Sequence, residues 1–346
     1  LLAVLCLLLL AVSRYLDSRS EPAASVSAPE AAQADASGLE VHFLDIGQGD
    51  SALLFCGDET LLIDGGKVKN NQKLIARLKE LEVDHLDAVI CSHPDEDHCG
   101  GLSAVLASTR TDAFYCSVDS WHTKAFSDVT KYVEQQGISV TVPQAGDTFA
   151  FSDASVEFLG PVVDYGDDPN EGSLVARVRY GETSFLFTGD MGFEAEDDML
   201  AAGVDVSATV LKVAHHGSAG SSSTEFLQAV HPQYAVISVG ADNDYGHPTE
   251  AALNRLAACG IPVYRTDLLG EIIAVSDGKT DTMTTASSEA PSADAASQPT
   301  GSYGYVGNSS SKVVHLAGCG KLPGESNRVY FASLAGYRKH ASCLGS

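Results

Sequence analysis

At 346 residues, with 44% apolar and 19% charged side chains, the chain is long enough for one large domain and a small one. Its formal net charge of -25 argues against a protein that coats nucleic acid through a general electrostatic field. Eight cysteines scattered from Cys6 to Cys343 do not make a small disulfide scaffold.

Residues 1–12 are almost uninterruptedly apolar, so 1–16 reads as a truncated secretory signal or membrane anchor. A secreted or membrane-anchored extracellular location is expected, with association at the cell wall or membrane surface. Residues 17–38 hold little that could form a core and read as a disordered linker. The folded domain, residues 39–279, opens on an alternating strand at 39–44. The turn Asp45-Ile46-Gly47-Gln48-Gly49-Asp50-Ser51 leads to a second strand at 52–56; Asp45 or Asp50 braces a nearby site, or the stretch is an ordinary hairpin turn. A strand at 60–63 ends in Asp64-Gly65-Gly66, and Leu74, Ile75, Leu78 and Leu81 make the helical stripe of 72–81.

The apolar run 86–91 predicts a buried strand that ends in Ser92-His93-Pro94-Asp95-Glu96-Asp97-His98. Two imidazoles and three carboxylates at a strand's carboxyl edge make a metal site, because such a crowd is poorly solvated without a cation. His93, Asp95 and Asp97 alternate and His98 is adjacent, so the loop can aim donors at two neighbouring centres. Leu102 opens a helix, a further helix spans 130–136, a strand 139–142 and a hairpin 147–159. A turn at 167–173 containing Asn170 precedes a strand at 174–178, and the strand 184–187 delivers the lone carboxylate Asp190. The strand 210–213, which includes Lys212, ends in His215-His216-Gly217-Ser218. On extended backbone, adjacent side chains point to opposite sides, so one histidine coordinates while the other serves the substrate or the packing, with His215 taken as the ligand and His216 as the substrate contact. Residues 218–224 read as a flexible loop lining a cleft. After the strand 234–239, His247 stands where a helix begins at Pro248, a place that favours anions.

The histidine-carboxylate loop resembles the metallo-β-lactamase superfamily signature His-x-His-x-Asp-His, with Asp95 replacing the second histidine. With Phe43-Leu44-Asp45-Ile46-Gly47-Gln48-Gly49-Asp50-Ser51 upstream and Leu211-Lys212-Val213-Ala214-His215-His216-Gly217-Ser218 downstream, roughly residues 39–279 are similar to the hydrolase domain of the ComEC competence family. The resemblance implies an α/β fold, the metallo-β-lactamase αββα sandwich, and two divalent ions, zinc or manganese. It implies His93 and Asp95 on one metal, Asp97, His98 and His215 on the second, and Asp190 spanning both, with Asp64 structural. Asp97, Asp190, His216 and His247 are then catalytic, and Asn170, Lys212 and Ser218 bind substrate. Asn170 stands where lactamases carry a histidine ligand, which favours phosphoester chemistry. The activity so implied is an exported deoxyribonuclease acting on DNA. A small phosphodiester of phosphocholine type as substrate, or a DNA-binding surface protein without significant catalysis, are the alternatives.

Ser, Ala, Pro, Thr and Asp dominate the linker 280–302. In residues 303–346, His315-x3-Cys319 and His340-x2-Cys343 form two donor pairs suited to one structural zinc. This stretch resembles the zinc-binding module of the Ada repair family, whose four ligands are cysteines; the two histidines here argue against methyl transfer. It carries five Lys or Arg against Glu325 alone, leaving -29 for the rest of the chain, and a cationic module suits phosphate-backbone contact. Cys56 and Cys91 fall in apolar runs as buried thiols, and a Cys99–Cys116 bridge stays open.

Overall fold

A computed structural model describes residues 38–241 and 243–285, together with four short strands nearer the C-terminus. The expected signal or anchor, nearly all of the spacer, and Cys319, His340 and Cys343 lie outside the described residues. Strands β1 (Leu39–Phe43), β2 (Ala52–Cys56), β3 (Glu59–Ile63), β4 (His85–Cys91), β5 (Arg110–Cys116) and β6 (Val140–Thr141) come first. They are followed by β7 (Thr148–Phe151), β8 (Ala154–Gly160), β9 (Val175–Tyr180), β10 (Thr183–Phe187), β11 (Val210–Lys212), β12 (Tyr234–Ile237) and β13 (Val263–Arg265). Then come β14 (Ile272–Ser276), β15 (Asp281–Thr285) and the separate C-terminal strands β16 (Tyr305–Asn308), β17 (Val313–Leu316), β18 (Arg328–Phe331) and β19 (Arg338–Lys339). The helices are α1 (Asn71–Glu80), α2 (Glu96–Cys99), α3 (Leu102–Ser108), α4 (Lys124–Gln135), α5 (Phe193–Ala201), α6 (Thr224–Val230), α7 (Glu250–Ala258) and α8 (Thr266–Leu269).

One sheet runs β15-β14-β1-β2-β3-β4-β5-β6 and the other β13-β12-β11-β10-β9-β8-β7. Each is antiparallel over one part and parallel over the other: β3 to β6 in the first sheet, β10 to β13 in the second. The period-2 alternation of side chains explains the layers. Leu39, Val41 and Phe43 face inward with Ile63, Ile90, Phe185 and Phe187 in a core shared by both sheets. The Phe43 and Phe187 rings stack across it at 5.9 Å. The intervening residues turn outward: Leu62, Val89 and Cys91 pack on Leu74, Leu78, Val105 and Phe126, whereas Leu186 and Leu211 pack on Met199, Phe226 and Leu256. Helices therefore cover both outer faces, the four-layer arrangement expected of the sequence, and the parallel strands of both sheets end along one edge.

Some bounds differ from expectation. Helix α4 starts at Lys124, where Thr123 Oγ1 accepts the Phe126 N–H at 3.4 Å, because Phe126, Val129 and Val133 already form its buried stripe. The domain does not end at residue 279: β15 pairs antiparallel with β14, so the first residues of the expected linker are an edge strand, its threonines suited to a half-buried pleat. Strands β16 to β19 form their own four-stranded sheet in the order β18-β16-β17-β19. All described cysteines are free thiols, so the Cys99–Cys116 bridge is not formed. Instead Cys91 and Cys99 donate to the carbonyls of His93 and Pro94, each at 3.2 Å, and steady the loop above them.

A buried polar cluster locks α1 to the first sheet. His42 on β1 bonds Glu271 through Nδ1 and Glu40 through Nε2, both at 2.6 Å, and Arg77 of α1 reaches Glu271 at 2.7 and 2.9 Å. Burial opposes a charged His42, yet the two carboxylates raise its pKa above the ordinary value, while Glu40 and Glu271 are lowered. The imidazolium contribution is full below about pH 6.5 and is lost as pH rises through the raised pKa. His42→Gln should therefore cost about 2 kcal/mol at pH 6 and less than half that at pH 9, measured by urea unfolding. A cost that grows with pH would contradict this assignment.

Candidate metal centre

The loop after β4 turns back under itself through the short helix α2, bringing His93 and His98 within 4.1 Å between ring centroids, both fully buried. Asp64, at the end of β3, fixes that loop. Its carboxylate accepts the Ser92 N–H at 2.7 Å and the Ser92 hydroxyl at 2.8 Å, and it lies 2.9 Å from His98 Nδ1. Asp64 adopts a left-handed φ of 59°, a region that aspartate tolerates better than most residues. With Nδ1–H committed to Asp64, the Nε2 lone pair of His98 faces inward. There it lies 3.1 Å from Asp190 Oδ1.

Asp190 follows β10, its N–H donating to Ser173 Oγ at 3.1 Å. The loop after β11 brings the remaining histidines. His215 and His216 both have left-handed backbone, φ 51° and 52°, so the alternation of an extended strand does not apply to them. His216, expected at the substrate, is the inner histidine: buried, with Nδ1 2.8 Å from the Ser238 carbonyl and Nε2 3.7 Å from Asp190 Oδ2. His215, expected as the ligand, stands at the rim with 31% of its side chain exposed and Nε2 3.6 Å from Asp190 Oδ2.

Asp50 is the residue whose part the sequence left undecided. Its Oδ1 lies 3.1 Å from His216 Nδ1, and Oδ2 pairs with Lys212. The turn carrying it can press against the metal loop because Gly49 has φ +133° and a Cβ there would meet the Asp97 carbonyl at 2.4 Å. That carbonyl accepts the Asp50 N–H at 3.1 Å. Lys212, expected to face substrate, is instead buried, donating to the Val213 carbonyl at 2.7 Å and held by Asp50; only this pairing makes its burial tolerable.

The other expected residues lie around this cluster. Asp97 Oδ2 is 3.8 Å from His216 Nε2, and Asp95 Oδ2 is 3.8 Å from His93 Nε2. His247 packs edge-on to His215 at 5.6 Å and beside His216 at 6.4 Å between ring centroids. Thr249, capping α7 just beyond it, bonds the Gly217 carbonyl through both N–H and hydroxyl, at 2.8 and 3.0 Å, and so ties that helix to the histidine turn. Asn170 sits three residues before Ser173 with its Oδ1 buried and unbonded. Ser218 is half-buried, its hydroxyl accepting the Gly220 N–H at 3.3 Å. The loop from Ser218, expected to be flexible, is buried and hydrogen-bonded over part of its length: Ser221, Ser222 and Ser223 are buried, Glu196 accepts the N–H groups of Ser222 and Ser223, and Arg255 donates to the carbonyls of Ser221 and Ser222.

Electrostatics follow from the crowding. Burial opposes charge on Asp190, but His98 and His216 hold its carboxyl well below the usual range, and it raises both of them against their own desolvation. Asp50 is held at about 2 against burial by Lys212 and His216. Burial and His98 push His93 well down, and burial with His216 and His215 brings His247 to about 4. The Nε2 atoms of His93, His98 and His216 and Oδ1 of Asp190 are buried without a hydrogen bond. Donor atoms of His93, His98 and Asp190 lie within 4.8 Å of one another, as do those of Asp50, Asp190 and His216. Ring nitrogens and a carboxylate oxygen without partners, converging on two triads that share Asp190, are what a pair of divalent cations requires once the imidazoles give up their protons, and these residues fit them.

Residues 44–241 match the family described as Metallo-beta-lactamase superfamily. The chain belongs to it. The chain is 31% identical over 251 residues to ComE operon protein 3 of Bacillus subtilis (strain 168), covering 67% of the chain and 32% of that protein. It is 35% identical over 230 residues to Competence protein ComA of Neisseria gonorrhoeae, covering 66% and 31%. The chain thus spans about a third of the length of these curated relatives. Among solved structures, the metallo-beta-lactamase fold protein YhfI from Bacillus subtilis aligns with a TM-score of 0.48 at 13% identity, over 69% of this chain and 100% of that one. Membership of the metallo-β-lactamase superfamily makes the protein a metal-dependent hydrolase, with divalent ions as its cofactors.

Proposed function

We propose that the protein is a phosphodiesterase that hydrolyses DNA during DNA uptake, acting outside the cytoplasm. The observation that carries this is the pair of donor triads sharing Asp190, bordered by the half-exposed rings of His215 and His247. The similarity to competence proteins supports a DNA-related role. His93, His98, His216 and Asp190 would hold the ions, with Asp50, Asp95, Asp97 and His215 close enough to complete their shells. Bound divalent ions supply Lewis acidity to a phosphoryl oxygen and acidify water at neutral pH. His247, neutral at pH 7 with its Nδ1 buried and unbonded, is suited to hydrogen-bond a phosphoryl oxygen or leaving group. Asp64 keeps the His98 tautomer that presents Nε2. The mixed imidazole and carboxylate set makes manganese a rival to zinc. The same reading takes residues 303–346 as a cationic module that a zinc held by His315, Cys319, His340 and Cys343 would staple, gripping the DNA backbone.

The test offers the full chain single-stranded DNA, duplex DNA and a phosphocholine ester, each with manganese, zinc or EDTA. DNA cleavage that EDTA stops is expected. Cleavage of the ester alone would sink the nuclease reading in favour of a small-phosphodiester esterase, and DNA binding without turnover would leave only a capture protein.

A further inference from the structure

Beside the metal centre lies a cavity of about 170 Å³ that the activity described so far does not use, lined among others by Gln48, Lys67, Lys69, Asn70, Asp244 and Tyr245. Its chemistry runs against a chain of net charge -25. Gln48 is 7% exposed, its Oε1 is taken by the Gly240 N–H at 3.2 Å, and its Nε2 is buried without a partner. That bond fixes the amide orientation and leaves the donor free. Asn70 Nδ2 is likewise buried and unbonded, seated against Gly47, where a Cβ would meet it at 3.2 Å; the glycine, at φ +83°, lets the amide close one wall. Lys67 and Lys69 add two cations, and the carboxylate Asp244 is exposed. Amide nitrogens without a protein partner beside ammonium groups make a lining that suits an acceptor-only, anionic ligand.

The cavity joins the metal centre through two elements. Lys67 Nζ lies 3.8 Å from Asp97 Oδ2 and donates to the Tyr245 hydroxyl at 3.1 Å, and the Tyr245 ring stacks on His247 at 5.7 Å. Gln48 belongs to the same turn as Asp50. The volume is several times the ~30 Å³ share of a water molecule, room for a phosphate with part of its sugar.

We infer that this cavity is a second phosphate site, which holds the phosphodiester next to the one being cut and so selects a nucleotide chain over an isolated phosphodiester; the inference rests on the phosphodiesterase reading. Tyr245, with 58% of its surface exposed, lies where the attached nucleoside would pass. An unpaired strand suits so narrow a meeting of lysines and an aromatic ring better than a duplex does.

Calorimetric titration of the full, metal-loaded chain with thymidine 3′,5′-bisphosphate and with thymidine 5′-monophosphate tests the site by binding alone. The bisphosphate is expected to bind about tenfold more tightly than the monophosphate, and Lys69→Ala and Gln48→Leu should each bring that ratio close to one. Equal affinities in the wild type, or a ratio that neither variant changes, would overturn the second site while leaving hydrolysis of DNA untouched. A ratio that responds to Lys69→Ala in a protein that cleaves no phosphodiester would keep an anion pocket and sink the phosphodiesterase reading instead. Lys69 is exposed, so its variant is read even where Gln48→Leu fails to fold.

Discussion

Asp190→Asn is expected to lower hydrolysis at least about a thousandfold and to strip the protein of at least one of its ions. The side chain keeps its shape and its backbone anchor on Ser173, so the change is confined to the charge and to one acceptor oxygen. Both donor triads include this carboxylate, and both buried histidines beside it, His98 and His216, owe their raised pKa in part to it. An amide offers one neutral acceptor where two anionic oxygens stood, so neither triad keeps its set. Metal content by elemental analysis and kcat/KM on the same sample check the point. Retention of full metal occupancy with more than a tenth of the activity would mean that Asp190 is not shared between two centres.

Asp64→Ala should weaken metal binding about 10- to 100-fold while destabilising the fold by about 1 to 3 kcal/mol. Asp64 engages His98 through Nδ1, the nitrogen away from Asp190, and works by holding Ser92 and His98. Without it the Ser92 N–H and His98 Nδ1 lose their buried partner, and the imidazole is free to rotate. Alanine is also poorly suited to the left-handed φ of 59°. Asp64→Asn tolerates that backbone and keeps one acceptor, so its loss should be smaller in both readouts. Competition with a metal-binding dye and urea unfolding separate the two effects. Equal metal affinity in wild type and Asp64→Ala would reduce Asp64 to a packing residue.

What was legible in the chain was whatever periodicity and clustering encode. The strand-then-donor pattern located the loop from His93 to His98, because two imidazoles and three carboxylates crowded after an apolar strand have few other uses, whereas the lone Asp190, which by itself reads as a helix cap, was placed at the site by the family resemblance. The relative places of His215 and His216 were hidden, since the sign of φ at a His-His pair leaves no trace in composition, and an extended reading sets them on opposite sides without saying which lies inside. Lys212 looked like a substrate contact because lysines are usually exposed; its burial follows only from Asp50, more than a hundred residues away in sequence. Ser221 to Ser223 read as a loose loop for the same reason, as the Glu196 and Arg255 that grip them lie on helices whose packing no local pattern announces. The start of α4 was masked by Lys124, Ser127 and Asp128, which are the solvent face around the stripe of Phe126, Val129 and Val133.

The donors come from both sheets, from the turn after β1 and the loop after β4 on one side and from the ends of β10 and β11 on the other. An ion seated among them is therefore a clasp between the two halves of the sandwich as well as a reagent. A free ion concentration a thousandfold above the dissociation constant would lend the folded form about 4 kcal/mol. Scarcity of metal in the surroundings would then govern how long the enzyme survives there, before it limits how fast it works.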